Sequence, residues 1–261
     1  MEQRDYTRQY GGYLYETHMH TSEGSACAGS SGAQMAEAYA AAGYTGIIIT
    51  DHFFYGNTAV DRSLPWNEWV ERFCLGYEHA KATGEKLGLQ VFFGWEAGYG
   101  GPEFLVYGPG KDWLLEHPEI RDATVEEQLA LVHGDGGIVI QAHPYREASY
   151  IREICLYPDT VDGVEAINAS HSSSVRKNPH PEFNERALDY GEEHDLPFTA
   201  GSDQHDTEML LGGMVFPERL EDIHDFTRAV MNREAIKLLD GTNRPFYREK
   251  DGRWRKKFES V

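Results

Sequence analysis

Six of the twelve histidines in this 261-residue chain stand at or just past the end of a strand-like apolar run: His18, His20, His52, His143, His171 and His205. Asp51, Glu96 and Asp203 share those positions. Imidazole nitrogens combined with carboxylate oxygens are a ligand set for Zn, Mn or Fe, and one too rich in histidine for magnesium alone. If His18-Met19-His20 stays extended, both imidazoles point to one face, because side chains along a strand repeat every second residue. The same holds for Asp203-Gln204-His205. Glu96 follows the apolar stretch "FFGW", and a buried carboxylate is costly unless a cation or strong donors face it. One strand-end histidine is readily explained by a hydrogen bond to a backbone carbonyl or by solvent; six, accompanied by acids, call for a shared site. Asp51 is expected to orient His52, as metal-bound histidines generally have a hydrogen-bonded partner, or else to cap the following loop. His79, His117, His133, His194 and His224 read as surface residues in helices or loops, with His180 a candidate exception.

The elements that must position these groups alternate. Strands are expected over 11–18, 44–52, 89–98, 103–108, 137–144, 161–170, 196–205, 212–217 and 234–241, with 103–108 pairing beside 89–98. Helices are expected over 31–43, 66–83, 124–136, 181–195 and near 219–232. Ser31 with Gln34, and Thr124 with Glu127, fit capping boxes, and Gly43 fits a helix stop. "GIIIT" is apolar on both faces, as a buried parallel strand should be. Strand–helix alternation predicts an α/β fold with a mainly parallel sheet. A closed barrel suits the length, and its strand ends would gather six chain segments into one cleft. An open doubly wound sheet is the other possibility, although no GxGxxG follows the first strand. No repeat or linker divides the chain, so one domain is expected over 1–261. The basic tail, about 243–261, could be a lid, a partner contact or a solvated tail, the last being the default for a terminus.

Composition narrows the function. A net charge of −19 disfavours sequence-blind nucleic-acid binding. The three cysteines, Cys27, Cys74 and Cys155, are dispersed and form no CxxC, which fits free thiols in a reducing compartment. The N-terminus has no apolar signal-peptide core, and no run reaches the length of a membrane span. A cytoplasmic protein without a membrane partner is expected.

The motifs "ETHMHT", "ITDHF", "GWEAG", "AHPYR", "NASHS" and "GSDQHD" together resemble the polymerase and histidinol phosphatase (PHP) superfamily. They occur in the family's order across roughly residues 14–206. The resemblance implies a distorted (β/α)7 TIM-like barrel with two or three divalent ions (Zn, Mn or Fe) at the C-terminal ends of its strands. It also implies a division of ligands. One ion would be held by His18, His20, Glu96 and Asp203. A second would share Glu96 and add His143 and His171. A third would use His52, His205 and a residue six or seven places after the second histidine of HxH. That place holds Cys27, where the family commonly has Asp or His. A thiolate there suits zinc better than manganese or magnesium. The competing possibility is a small buried cysteine packed against the barrel.

The activity implied is phosphoester hydrolysis. Closely spaced metals lower the pKa of a shared water, giving a hydroxide that attacks phosphorus, and they neutralise the non-bridging oxygens. Arg146, three residues after His143, can grip two phosphate oxygens. Arg176 and Lys177 are weaker candidates for the same role. A bound water, Asp51 or His180 could protonate the leaving group. A small phosphorylated metabolite is the expected partner, with histidinol phosphate and nucleotides made reasonable by the resemblance. A nuclease-type phosphodiesterase and a non-catalytic metal-binding regulatory domain are the alternatives.

Overall fold

A computed structural model describes residues 9–149, 151–172, 178–208, 211–242 and 244–256. The chain begins with β1 (Tyr13–Met19), α1 (Gly32–Ala42), β2 (Gly46–Ile49), α2 (Trp66–Phe73), α3 (Leu75–Leu87), β3 (Gln90–Gly98) and β4 (Glu103–Tyr107). It continues through α4 (Lys111–Glu116), α5 (Val125–Gly134), β5 (Ile138–Gln141), β6 (Gly163–Asn168), α6 (Ala169–Ser172), α7 (Pro181–Glu193) and β7 (Phe198–Gly201). It ends with β8 (Gly212–Phe216), α8 (Ile223–Met231), β9 (Lys237–Asp240), β10 (Phe246–Arg248) and β11 (Trp254–Lys256). Both capping boxes form with their reciprocal hydrogen bonds, and Gly43 closes α1 in the left-handed conformation.

All the strands join one sheet in the order β11-β10-β9-β8-β1-β2-β3-β4-β5-β6-β7. β1, β2 and β3 are parallel, as are β5, β6 and β7. The sheet curls until the chain just past β7 returns to β1: Gln204 pairs with Met19 in a parallel bridge, and His20 N donates to the Gln204 carbonyl at 2.8 Å.

The fold is thus the expected α/β class, but not a regular (β/α)7 repeat. β4 runs antiparallel to both neighbours. Residues 99–102 are too few for a crossover helix, which a parallel pairing would need. The expected helix over 66–83 is two helices meeting at Cys74, with the second running on to Leu87. The basic tail is not simply solvated: β10 and β11 form a hairpin on the sheet edge, with Phe246 and Trp254 buried.

Both faces of β2 are covered, as its apolar run requires. Ile47 and Ile49 pack with Met35, Tyr39 and Ala80 of the α1–α3 layer. Ile48 packs on the other side with Tyr15, Leu105, Ile140 and Phe226. Helices α1 and α3 cross at glycines. A Cβ on Gly32 would lie 1.9 Å from the Gly76 carbonyl oxygen, and one on Gly76 would lie 1.9 Å from Thr21 Oγ1. Gly76→Ala is therefore expected to destabilise the protein by about 1–3 kcal/mol, the usual cost of overpacking. A urea midpoint equal to wild type would show that the loop at Thr21 yields freely.

Candidate metal centre

The strand ends deliver the histidines and acids to one place. His18 lies near the end of β1, His20 past it, His52 past β2, Glu96 within β3, His143 past β5, His171 on α6, and Asp203 and His205 past β7. All but His205 are buried. Glu96 is central. Its Oε1 is 3.3 Å from His18 Nε2 and 3.0 Å from His143 Nε2. Its Oε2 is 2.8 Å from His52 Nδ1 and 3.6 Å from His20 Nε2. Asp203 Oδ1 is 3.1 Å from His20 Nε2 and 3.6 Å from His18 Nε2. His20, His52 and His205 bring ligand atoms within 4.8 Å of one another, as do His18, His20 and Glu96. His143 and Asp203 adopt left-handed backbone, with φ of 24° and 55°, a strain that the surrounding structure must hold in place.

Supporting groups settle which imidazole nitrogen faces the cluster. Glu165 Oε1 lies 2.8 Å from His18 Nδ1, so that nitrogen donates its proton and Nε2 is left as the donor of a lone pair. Ser25 Oγ donates to Asp51 at 2.7 Å and accepts from the His52 backbone N–H at 2.9 Å. It also lies 3.1 Å from His20 Nδ1, which again turns an Nε2 lone pair inward. The two Nε2 atoms are 3.3 Å apart and face carboxylates. Lone pairs and anions so arranged repel unless a cation or a proton lies among them. Three atoms in the cluster, His52 Nδ1, Glu96 Oε2 and Glu103 Oε2, are buried without a hydrogen-bond partner. This donor set fits divalent transition metals.

The electrostatics carry the same tension. Burial pushes the His18 imidazole down, but Glu165, Asp203 and Glu96 hold it well above its ordinary value. Burial would raise Glu96, yet His18, His52 and His143 keep its carboxylate far below the usual range. Burial would likewise raise Asp203, and Arg146 and His18 hold it well down. His20 is lowered by burial and by the neighbouring charge of His52.

His171, Asp51 and His180 stand apart from the ligand clusters of the described residues. His171 belongs to none of the ligand clusters among the described residues; its ring centroid is 6.3 Å from that of His143. Its Nε2 accepts from Arg146 Nε at 3.4 Å and its Nδ1 faces Asn184 Oδ1. Burial, with Arg146 and His143 nearby, depresses His171 to about 3. Arg146 also grips Asp203, so its guanidinium lies inside the site. The Asp51 carboxylate is turned into the 21–25 loop, accepting from Thr21 N, Thr21 Oγ1 and Ser25 Oγ. It is thus a positioning residue acting through Ser25 on His20 and His52, and not a group placed against substrate. His180 is exposed and pairs with Glu182 at 2.8 Å. Arg176 and Lys177 lie outside the described residues.

Cys27 is exposed, not buried in packing, and its thiol lies beside His205 and His52. Partial burial would raise the thiol, but those two histidines bring it down to about 6. Its loop is tied to both partners: Gly29 N–H donates to the His205 carbonyl, and the His52 N–H donates to Ser25. The cleft above, about 540 Å³, is lined by Cys27, His52, Glu103, Arg146, Asp203 and His205, among others. A second cavity of about 530 Å³, bounded by Arg233, Arg248 and Trp254, shares none of these residues.

Sequence reasoning missed Glu16, Glu103 and Glu165. Glu165 and Glu16 are lone acids in apolar strand runs, the signal that marked Glu96, and could have been found that way. Glu103 opens its strand after a glycine–proline turn and follows no apolar run, so the signal that marked Glu96 is absent there, although the short 99–102 link already called for an antiparallel pair.

Glu16 accepts from Ser202 N, Ser202 Oγ, Tyr39 Oη and His18 N. Burial pushes it up to about 7 despite those donors. Its folded pKa exceeds the unfolded one, so its contribution to stability is present below the unfolded value and lost as pH rises through about 7. Chelator-treated wild type should therefore lose more stability than Glu16→Gln between roughly pH 5 and 8, by on the order of 3 kcal/mol. Parallel pH profiles of the urea midpoint for the two proteins would reject this role.

No curated protein is significantly similar in sequence to this chain. In fold it is similar to a two-domain protein from Bacteroides vulgatus containing a predicted PHP-like metal-dependent phosphoesterase, with a TM-score of 0.62 and 14% identity. That likeness covers 87% of this chain and 64% of the Bacteroides chain, so this chain spans less than two thirds of that protein. It is also similar to a candidate metal-dependent phosphoesterase from Bifidobacterium adolescentis, with a TM-score of 0.51, 19% identity, and coverage of 84% and 96% of the two chains. Residues 181–243 match the family model described as PHP-associated. In that segment the chain is similar to the PHP-associated family, and its fold is similar to that of PHP-like proteins. The matched segment runs from α7 to just past β9 and contains Asp203 and His205. No helix among the described residues is long and apolar enough to cross a membrane.

Proposed function

We propose that this protein is a PHP-type metal-dependent phosphoesterase that hydrolyses small phosphate monoesters. The observation that carries the reading is the convergence of His18, His20, His52, His143, Glu96 and Asp203 with their donor atoms turned toward one another and no cation of the chain among most of them. One ion would be held by His18, His20, Glu96 and Asp203. A second would be held by Glu96 and His143, with His171 once Arg146 leaves its Nε2. A third would be bounded by His20, His52 and His205, with Cys27 at its rim. Zn, Mn and Fe suit these donors.

Bound divalent ions would supply the chemistry: acidification of water to near neutrality and neutralisation of charge on the phosphoryl oxygens. The chain does the rest. Glu165 and Ser25 fix the tautomers of His18 and His20, and Asp51 fixes Ser25. Arg146, at the cleft wall, holds two phosphate oxygens in its fork. A net charge of −19 disfavours polynucleotide substrates, and Arg146 supplies local attraction for a small anion.

The test is to strip the protein, reload it separately with Mn, Zn, Fe, Co and Mg, and measure phosphate release from an aryl phosphate. No release with any of these ions would sink the proposal. The Cys27 assignment has its own readout. Cobalt-loaded wild type should show a near-ultraviolet thiolate-to-cobalt band that Cys27→Ser lacks. A band of equal strength in the variant would place the thiolate contact at another cysteine.

A further inference from the structure

The ligand division above leaves Glu103 without a role, although it is placed as a ligand would be. Its Oε2 is buried and has no hydrogen-bond partner, and the same is true of Glu96 Oε2 and His52 Nδ1. These three residues bring ligand atoms within 4.8 Å of one another. His52 Nδ1 and Glu96 Oε2 approach to 2.8 Å yet form no hydrogen bond. Such atoms lie close enough to share one cation without being aligned on each other. Two carboxylate oxygens are thus held together in a place that neither solvent nor a donor reaches. Glu96 Oε1 meanwhile faces His18 and His143, so the two oxygens of Glu96 serve different sides. Glu103 stays at arm's length from the nearby cation and imidazole: Oε2 is 4.0 Å from Arg146 Nη1 and 3.6 Å from His143 Nε2.

We propose that Glu103 is a metal ligand, which with Glu96 Oε2 and His52 Nδ1 forms a cation position on the β4 side of the centre. This rests on the reading of the cleft as a divalent-metal site and adds a residue to it. Two oxygens and one nitrogen are a harder donor set than the imidazoles and thiol around His205, so the position suits Mn²⁺ or Fe²⁺. A thiophilic ion at Cys27 and an oxygen-loving ion at Glu103 would make the centre heterometallic.

Calorimetric titration with Mn²⁺ of stripped wild type and of Glu103→Gln tests it. The variant should bind one ion fewer per chain, or bind its weakest ion at least about tenfold more weakly, since even an outer-shell partner is worth that much. Its metal-free melting temperature should equal or exceed that of wild type, because an unpartnered buried charge has been removed, whereas a structural carboxylate would lower it. Equal stoichiometry and affinity in the variant overturns the proposal while leaving the phosphoesterase reading intact. A wild type that binds no Mn²⁺ overturns this proposal, and no binding of any divalent ion defeats the phosphoesterase reading as well. Anomalous scattering from Mn²⁺-soaked crystals is the second measurement: a peak in contact with Glu96 and His52 but not with Glu103 Oε2 also overturns it.

Discussion

Glu96→Ala is expected to strip the centre of the ions that depend on this carboxylate and to lower kcat by on the order of 10³-fold or more. Both Glu96 oxygens face imidazoles, Oε1 toward His18 and His143 and Oε2 toward His52 and His20. Removing it therefore takes a donor from two of the three proposed ions at once. The magnitude follows from the several kcal/mol of charge stabilisation that a metal contributes, at about 1.4 kcal/mol per tenfold in rate. In the metal-free protein the change also leaves His18, His52 and His143 without their shared anion, so His18 and His52 should titrate lower than in wild type. Elemental analysis and phosphate release, measured on the same preparations, check both effects. Full metal content in Glu96→Ala would remove it from the ligand set. Full metal content in wild type without turnover of any phosphoester would favour the regulatory-domain reading.

Arg146→Ala should lower kcat/KM for a phosphate monoester by roughly 10²- to 10³-fold while leaving divalent-metal affinity unchanged or tighter. A buried charge pair truncated on one side typically costs about 2–5 kcal/mol. The opposite sign for metal follows from where the guanidinium lies. It holds Asp203 and donates to His171 Nε2, two groups assigned to metals, and so competes with a bound ion for them. Released from them, it has a fork of donors to offer a phosphate. Arg146→Lys should recover only part of the loss, because an ammonium cannot grip two oxygens in one plane. Inorganic phosphate inhibition and Mn²⁺ titration of the variants separate the two effects. Weakened metal binding in Arg146→Ala would mean that the arginine supports the centre instead of competing with it.

The sequence by itself carried the α/β class, the positions of the strands along the chain and the residues that converge on Glu96. Each was a local signal: a β-branched run closing on a histidine, a lone acid after apolar residues, a capping box before a helix. Cys27 was legible as an anomaly of spacing, but only the folded loop turned its thiol toward His52 and His205. The near-closure of the sheet through Gln204 and the docking of β10 on β9 depended on pairings that no local signal marks. Glu103 was missed because it opens its strand and follows no apolar run, so no local signal set it apart. Asp51 and Arg146 were recognisable as polar neighbours of histidines, yet their roles depended on which way each side chain turned. That choice is made by tertiary contacts: Thr21 and Ser25 take up Asp51, and Asp203 and His171 take up Arg146.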